Sequence, residues 1–410
     1  MSAGADQGSR RLAVRLTKDA ERQVRGGHPW VFDRSITSVT DGGRPGDLAV
    51  VFDSRRRFLA IGLYDPSSPI RVRVLHHGDP ETIDEQWWGR RLREVLHRRS
   101  SLIDRADTTG FRWVHGENDQ MPGLVVDRYG QTLVVKLYSE AWFAHLGILV
   151  EHLRAIADAE SVVLRLARNV TPPDQGPGAG GDGSALFGPL PERPVHFVEN
   201  GLVFEADVVR GNKTGYFLDQ RDNRVRVRNL ARGREVLDVF CSTGGFSVHA
   251  AAGGATVVHG VDISKGAVAA ARRNMEANRE VAGVAQCEHR VTVGDAVDTM
   301  ARLVSERRRF GLVVVDPPAM AVRQRQRGVA MAAYRRQAGL AADLTVPGGR
   351  VVLASCSARV TAAEHEESVM AAITQRGRKI RDLSRTGQPV DHPVGFSEGA
   401  YLKAVIAELD

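Results

Sequence analysis

The turn Asp238-Val-Phe-Cys-Ser-Thr-Gly244 constrains the fold more than any other stretch of the chain. It closes the apolar run EVLDVF, and the helical stretch GFSVHAA follows at once. The next apolar run, TVVHGVD, also ends on an acid, Asp262. HRVTVGD, FGLVVVD and RVVLASC then alternate with helical stretches around 265–278, 296–307, 330–344 and 363–374. Near-continuous apolar strands alternating with helices predict a parallel sheet covered on both faces, an α/β domain. Such a doubly wound sheet takes its ligand at the carboxyl ends of its strands.

A chain of 410 residues is too long for one ordinary core. The first 75 residues or so read as a small all-β unit, from DLAVVFD, RFLAIGLYD and IRVRVL between Gly, Pro and Ser turns. In IRVRVL, Ile70, Val72 and Val74 share one strand face, and Arg71 and Arg73 share the other, which is expected to face solvent. A helix follows, with Trp88, Leu92, Val95, Leu96 and Ile103 at helical spacing and arginines from Arg90 to Arg99 on its other positions, a face that is either only solvated or, in an RNA-binding protein, holds phosphates. WVHGEND, GLVVDRYG and TLVVKLY predict a meander, completed by a helix around 141–157 and the strand SVVLRLA. Thr171 to Pro194 is rich in Gly and Pro, and is expected to be a mobile loop or linker. These readings divide the chain into domains at 1–78, 79–194 and 195–410.

The net charge of +7 admits two explanations, an anionic partner such as nucleic acid or an arginine-rich proteome. No apolar run reaches the roughly 20 residues of a membrane span, and MSAGADQGSRRLAVRL lacks the apolar centre of a signal peptide. A cytoplasmic protein without membrane contact is expected. Three cysteines make no disulfide framework, and no metal-ligand set stands out.

The turn after the first sheet strand indicates the cofactor. A dinucleotide fold would place G-x-G-x-x-G there, but the chain has F-C-S-T-G-G. S-adenosylmethionine carries no phosphate and needs fewer glycines. Its ammonium suits Asp238, its ribose diol suits Asp262, and its adenine edge suits Asp295 with Ala296. A dehydrogenase remains a distant alternative.

Two later motifs bear on the chemistry. Asp316-Pro317-Pro318 ends FGLVVVD, where paired prolines stiffen a loop able to hold the planar edge of a base. Cys356 ends RVVLASC, between two serines and one βα unit after Asp316. Most cysteines are small buried hydrophobes. A thiolate opposite a carboxylate, however, is what methylation of a pyrimidine ring carbon requires, because addition at carbon 6 makes carbon 5 nucleophilic. Cys241, in the cofactor turn, and Cys287, in a polar loop, compete poorly for that role.

GNKTGYFLDQRDNR, LDVFCSTGGFS, VDIS, VVVDPPAM, ASCSARV and DHPVGFSEGAYLK together resemble the S-adenosylmethionine-dependent large-subunit rRNA cytosine-5 methyltransferases. The resemblance extends to GHPWVFDRSI and IRVRVL, similar to a PUA domain, and to GENDQMPGLVVDRYG, similar to a central EEHEE domain. It implies a β-barrel PUA-like domain, an α+β EEHEE-type domain and a Rossmann-like class I methyltransferase domain. It further implies a cofactor pocket of Lys213, Thr214, Phe217, Asp219, Gln220, Asp238, Phe240, Gly244, Asp262, Ile263, Asp295 and Ala296. Cys356 would be the nucleophile and Asp316 the acid facing the base. Pro317, Pro318, Arg71 and Arg73 would contact RNA, with large-subunit rRNA the expected partner and a homodimer plausible. Ala319-Met320 departs from the family, where an aromatic more usually follows DPP. Two rival readings stay open: methylation of another atom, such as a guanine nitrogen, or an RNA-binding or assembly factor without turnover.

Overall fold

The structure, a computed structural model, describes residues 10–321 and 324–410. Most of the N-terminal segment on which the reading of no signal peptide rests therefore lies outside the described residues. The chain forms two compact units. One is the chain up to Phe197 with Ala206–Tyr216 and Val390–Phe396, and the other is Val198–Glu205, Phe217–Pro389 and Ser397–Asp410.

The first unit opens with β1 (Arg11–Leu16), β2 (Trp30–Phe32), β3 (Ile36–Val39), β4 (Leu48–Phe52), β5 (Phe58–Tyr64) and β6 (Ile70–His77). They form one sheet in the order β2-β6-β5-β4-β1-β3. Leu12, Val14 and Leu16 alternate inward along β1, where they share a core with Ala20 and Val24 of the helix Lys18–Arg25. An all-β reading misses that helix because KDAERQVR offers only two apolar positions.

The solvent-facing stripe expected of β6 is corrected at Arg73. That side chain is buried, 6% exposed, and its guanidinium lies 3.6 Å from Glu117. β6 is paired on both edges, and Arg73 also packs beside Gly123, so a second layer covers the face that alternation assigns to water. Arg71 is half-buried and donates to the Asp65 carbonyl.

That second layer is a five-stranded sheet of β7 (Gly110–His115), β8 (Leu124–Tyr129), β9 (Thr132–Leu137), β10 (Ser161–Leu166) and β11 (Ala185–Phe187). Leu48, Leu63 and Leu75 of the first sheet share one core with Trp87, Trp113 and Trp142, which binds the two sheets into one unit. The arginine-bearing helix is also corrected at its end. Arg99 is fully buried and donates to both oxygens of Asp119 at 2.8 and 2.6 Å, so it offers nothing to a phosphate.

The expected linker differs as well. β11 lies inside Thr171–Pro194 and adds an antiparallel edge strand to β10. Asp182 accepts from the Arg165 guanidinium at 3.0 Å and from the Leu166 amide at 2.6 Å. Gly188, at φ +68°, runs so close to the Glu160 carbonyl that no Cβ would fit. The glycines there make close packing possible as much as they loosen the chain.

A hairpin, β12 (Val195–Glu199) and β13 (Leu202–Ala206), precedes the seven-stranded sheet. That sheet contains β14 (Glu235–Val239), β15 (Val257–Asp262), β16 (Glu288–Val293), β17 (Phe310–Val315), β18 (Thr345–Ser355), β19 (Ile380–Thr386) and β20 (Lys403–Leu409). Their order is β16-β15-β14-β17-β18-β20-β19. β14 to β18 pair in parallel, and β20 runs antiparallel to both neighbours. Leu312, Val313 and Val314 are fully buried along β17, as a strand covered on both faces requires. The strand order reverses direction between β14 and β17, and it is at such a switch point that doubly wound sheets form their ligand crevice, outside the carboxyl ends of the strands.

Candidate active site

The carboxyl ends of the parallel strands carry Asp238, Asp262, Asp295, Asp316 and Cys356 in turn. Around β14 the backbone is bent into unusual conformations, with Phe240 at φ +64°, Ser242 at +49° and Gly244 at +79°. Non-glycine residues in this region cost energy and cluster at ligand sites. A Cβ on Gly244 would come within 2.9 Å of the Ala271 side chain, so only glycine allows the helix Gly245–Ala252 to start there. Asp262 accepts the Ser242 amide at 2.9 Å and the Ser264 amide at 2.8 Å, which fixes its carboxylate at the rim. Ile263 beside it is 72% exposed.

Asp238 is fully buried. One oxygen accepts from the Ser247 hydroxyl at 2.6 Å, while the other has no hydrogen-bond partner among the described residues. Burial raises its pKa to about 6 despite the Ser247 bond. An unpartnered carboxylate oxygen at a strand end fits a cationic ligand group.

The segment before β14 supplies a second layer. Asn223 donates to Gln220 at 2.6 Å, and Gln220 donates to Asp316 at 2.8 Å. Tyr401 donates to Asp219 at 2.8 Å. Arg224, buried, holds the Phe217 carbonyl and both oxygens of Glu199. Asp316 is partly buried, and its pKa rises to about 7, chiefly through desolvation and then the charge of Asp219.

Cys356 follows β18 and is partly open, whereas Cys241 is buried. The Cys356 sulfur lies 3.8 Å from the carbonyl of Pro317, the residue next to Asp316. The flanking serines explain this approach. Ser355 donates to the Tyr334 hydroxyl at 2.9 Å, and that hydroxyl meets Ser357 at 2.8 Å. The Ser357 oxygen also accepts the Met320 and Ala321 amides at 3.1 and 3.2 Å. The SCS segment is thereby tied to the loop that follows DPP. Because the tie uses the backbone of Met320, the missing aromatic leaves it intact.

The profile of the S-adenosylmethionine-dependent methyltransferase family matches residues 119–394, and that of a PUA-like domain matches residues 14–77. The chain belongs to the S-adenosylmethionine-dependent methyltransferases. It is 45% identical to a Ribosomal RNA large subunit methyltransferase of Deinococcus radiodurans, over 100% of both chains. It is 32% identical to a Ribosomal RNA large subunit methyltransferase I of Pseudoalteromonas translucida, over 97% of this chain and 99% of that one. A solved chain from Streptococcus mutans, described as a SAM-dependent methyltransferase, superposes with a TM-score of 0.80 at 19% identity and covers 97% of this chain and 99% of its own. That likeness shows the shared fold: a PUA-like β domain and a Rossmann-like methyltransferase domain.

The cofactor of this family is S-adenosylmethionine, and the residues at the crevice fit it. The open oxygen of Asp238 suits its ammonium, the Gly244 turn allows close approach, and the fixed carboxylate of Asp262 suits a diol. Asp295 is exposed and caps the helix Ala296–Ser305 through the Asp298 amide, while Ala296 is buried behind it. Phe240 packs partly against the core, and Phe217 is half-buried. Lys213 and Thr214 belong to the first unit. There Thr214 is buried and donates to Asp127 at 2.6 Å, and the Lys213 carbonyl accepts from Lys136. Of the residues expected to touch the base, Pro317 is buried and Pro318 exposed. Asn223, Tyr334 and Lys403 escaped the reading of the sequence. Asn223 and Lys403 stand in motifs that carried the resemblance, GNKTGYFLDQRDNR and DHPVGFSEGAYLK, but neither residue was given a role.

Proposed function

We propose that this methyltransferase modifies carbon 5 of a cytosine in RNA, with large-subunit ribosomal RNA as the substrate. The observation that carries the reading is a partly open thiol, Cys356, 3.8 Å from the carbonyl next to Asp316. The names of the relatives support the RNA class, and the PUA-like domain is a suitable grip for an RNA backbone.

The target base must leave its stack to reach the crevice. The Cys356 thiolate adds to carbon 6, and the ring electrons shift toward carbon 5 and nitrogen 3. Asp316 keeps its proton to about pH 7, so its neutral form can donate to nitrogen 3 as that charge builds. When bound, S-adenosylmethionine supplies an electrophilic methyl group, which carbon 5 takes. Loss of the carbon 5 proton to a base restores the double bond and expels Cys356 as thiolate, and nitrogen 3 returns its proton to Asp316. The cytoplasm, where ribosomal RNA is met, is the corresponding location.

Incubation with RNA containing 5-fluorocytidine tests this route, because fluorine blocks the final elimination. A band stable to denaturation, present in the wild type and absent in Cys356→Ala, is expected. Methyl transfer that survives Cys356→Ala, with no trapped band, would point to a different target atom.

A further inference from the structure

The reading above requires a thiolate, and a free thiol has a pKa of about 8.5. The loop bearing Cys356 rests on a buried cation. Lys403 pairs with Ser355 across the antiparallel β18–β20 ladder and is only 6% exposed. Its ammonium donates to the carbonyls of Ser357 at 2.7 Å and Val360 at 2.6 Å, the turn that follows Cys356. An ammonium has three donors, so one remains beyond these two bonds. We propose that Lys403 is a positioning residue for the nucleophile: it clamps the 357–360 turn and supplies the positive charge that favours the Cys356 thiolate.

The titratable groups around the SCS turn decide the sign. The loop after β17 carries Asp316, next to the Pro317 carbonyl that the sulfur meets; the helix Arg327–Asp343 brings Tyr334 to Ser357, the helix Ala362–Gln375 brings His365 against Tyr334, and β20 brings Lys403. Asp316 opposes a second negative charge only once it ionises, near pH 7, and burial keeps the Tyr334 hydroxyl neutral. His365, fully enclosed, is held neutral with a pKa pushed down to about 4, by burial and then by Lys403. Of these four, Lys403 alone is a cation at neutral pH. Burial lowers it to about 8, and the charge of Cys356 acts in the opposite direction, as expected for a coupled pair. Burying an ammonium against two carbonyls is costly, and a plain structural clamp would not need the charge.

The inference rests on Cys356 being the nucleophile, but its test needs neither RNA nor cofactor. The rate of Cys356 alkylation by iodoacetamide, followed by peptide mass spectrometry, is measured against pH in the full-length protein. Lys403→Met removes the charge and both hydrogen bonds, whereas Lys403→Gln keeps a donor for the carbonyls. Both are expected to move the midpoint up by about one pH unit, a roughly tenfold slower reaction at pH 7. An unmoved midpoint with only a lower plateau, in either folded variant, would reduce Lys403 to a clamp and overturn the assignment. A wild-type midpoint at or above that of a free thiol would do the same. A low midpoint beside a Cys356→Ala enzyme that still methylates would sink the cytosine reading and leave the pairing standing.

Discussion

The turns after β14 and β18 each place a cysteine at the end of a parallel strand, yet the two thiols sit in opposite surroundings. Cys241 is 4% exposed, with its sulfur against Gly260. Burial, then the charges of Asp238 and Asp262, push its thiol far above the ordinary range. It is a neutral packing group. Cys356 is partly open and has Lys403 beneath its loop. Position at a strand end therefore does not make a nucleophile. Cys356, the proposed nucleophile, differs from Cys241 in its exposure and in the cation held under its loop.

The sharpest way to break this contrast is to remove each sulfur in turn. Cys356→Ala is expected to lower methyl transfer by more than about 10³-fold, because no other group replaces a covalent nucleophile. Cys241→Ala is expected to act through packing, with a lower melting temperature and a nearly unchanged kcat at saturating cofactor. Methyl incorporation into RNA separates the two outcomes, and equal losses in kcat would erase the distinction.

Asp316 sharpens the β18 side. Asp316→Asn is expected to cost about 10²–10⁴-fold in kcat, the usual range for a positioned acid or base. Its carboxyl is raised to about 7, so the proton is held below that pH and lost above it. The wild-type kcat should accordingly decline as pH rises past about 7, and that decline should vanish in the variant. A pH profile identical in shape for both proteins would remove Asp316 from proton donation.

Gly244→Ala probes the β14 side, where backbone shape does what charge does at β18. The new Cβ would sit in left-handed backbone, at φ +79°, and within 2.9 Å of the Ala271 side chain. Strain and overpacking together amount to about 2–4 kcal/mol. Calorimetric titration with S-adenosylmethionine should show weakened binding, alongside a lower melting temperature.

The two sides also differ in how far the sequence revealed them. The parallel strands were legible because burial on both faces leaves a continuous apolar run, as in FGLVVVD. The strand-end acids were legible from position alone. Partners distant in sequence were not. Alternation in IRVRVL marks Arg73 as outward-facing, and nothing local announces Glu117. Arg99 looks like one more surface arginine until Asp119 meets it in the core. The strand Ala185–Phe187 is too short to stand out from the Gly and Pro around it. Lys403 sits in β20 among apolar neighbours, and its role depends on a carbonyl 46 residues away.

The smallest expected effect tests why the β14 side carries a carboxylate at all. Asp238 has one oxygen unpartnered in the protein alone and a pKa of about 6, against an ordinary value of 3.8. The folded state holds the proton more tightly than the unfolded chain, so this group favours folding most below about pH 4. That contribution declines as pH rises toward 6 and is gone above it. The cost at neutral pH is on the order of 3 kcal/mol. Cofactor-free wild type should therefore lose melting temperature across pH 4–6 relative to Asp238→Asn, and the variant should be the more stable of the two at pH 7.5. Saturating S-adenosylmethionine should reverse that order, since only the carboxylate can pair with the ammonium. Asp316 supplies an internal check, because the charge of Asp238 helps to hold its carboxyl up, and its titration should move downward in the variant. If the two proteins melt in parallel across this range, the open oxygen is already satisfied by solvent, and the strand-end carboxylate is not held in reserve for a cation.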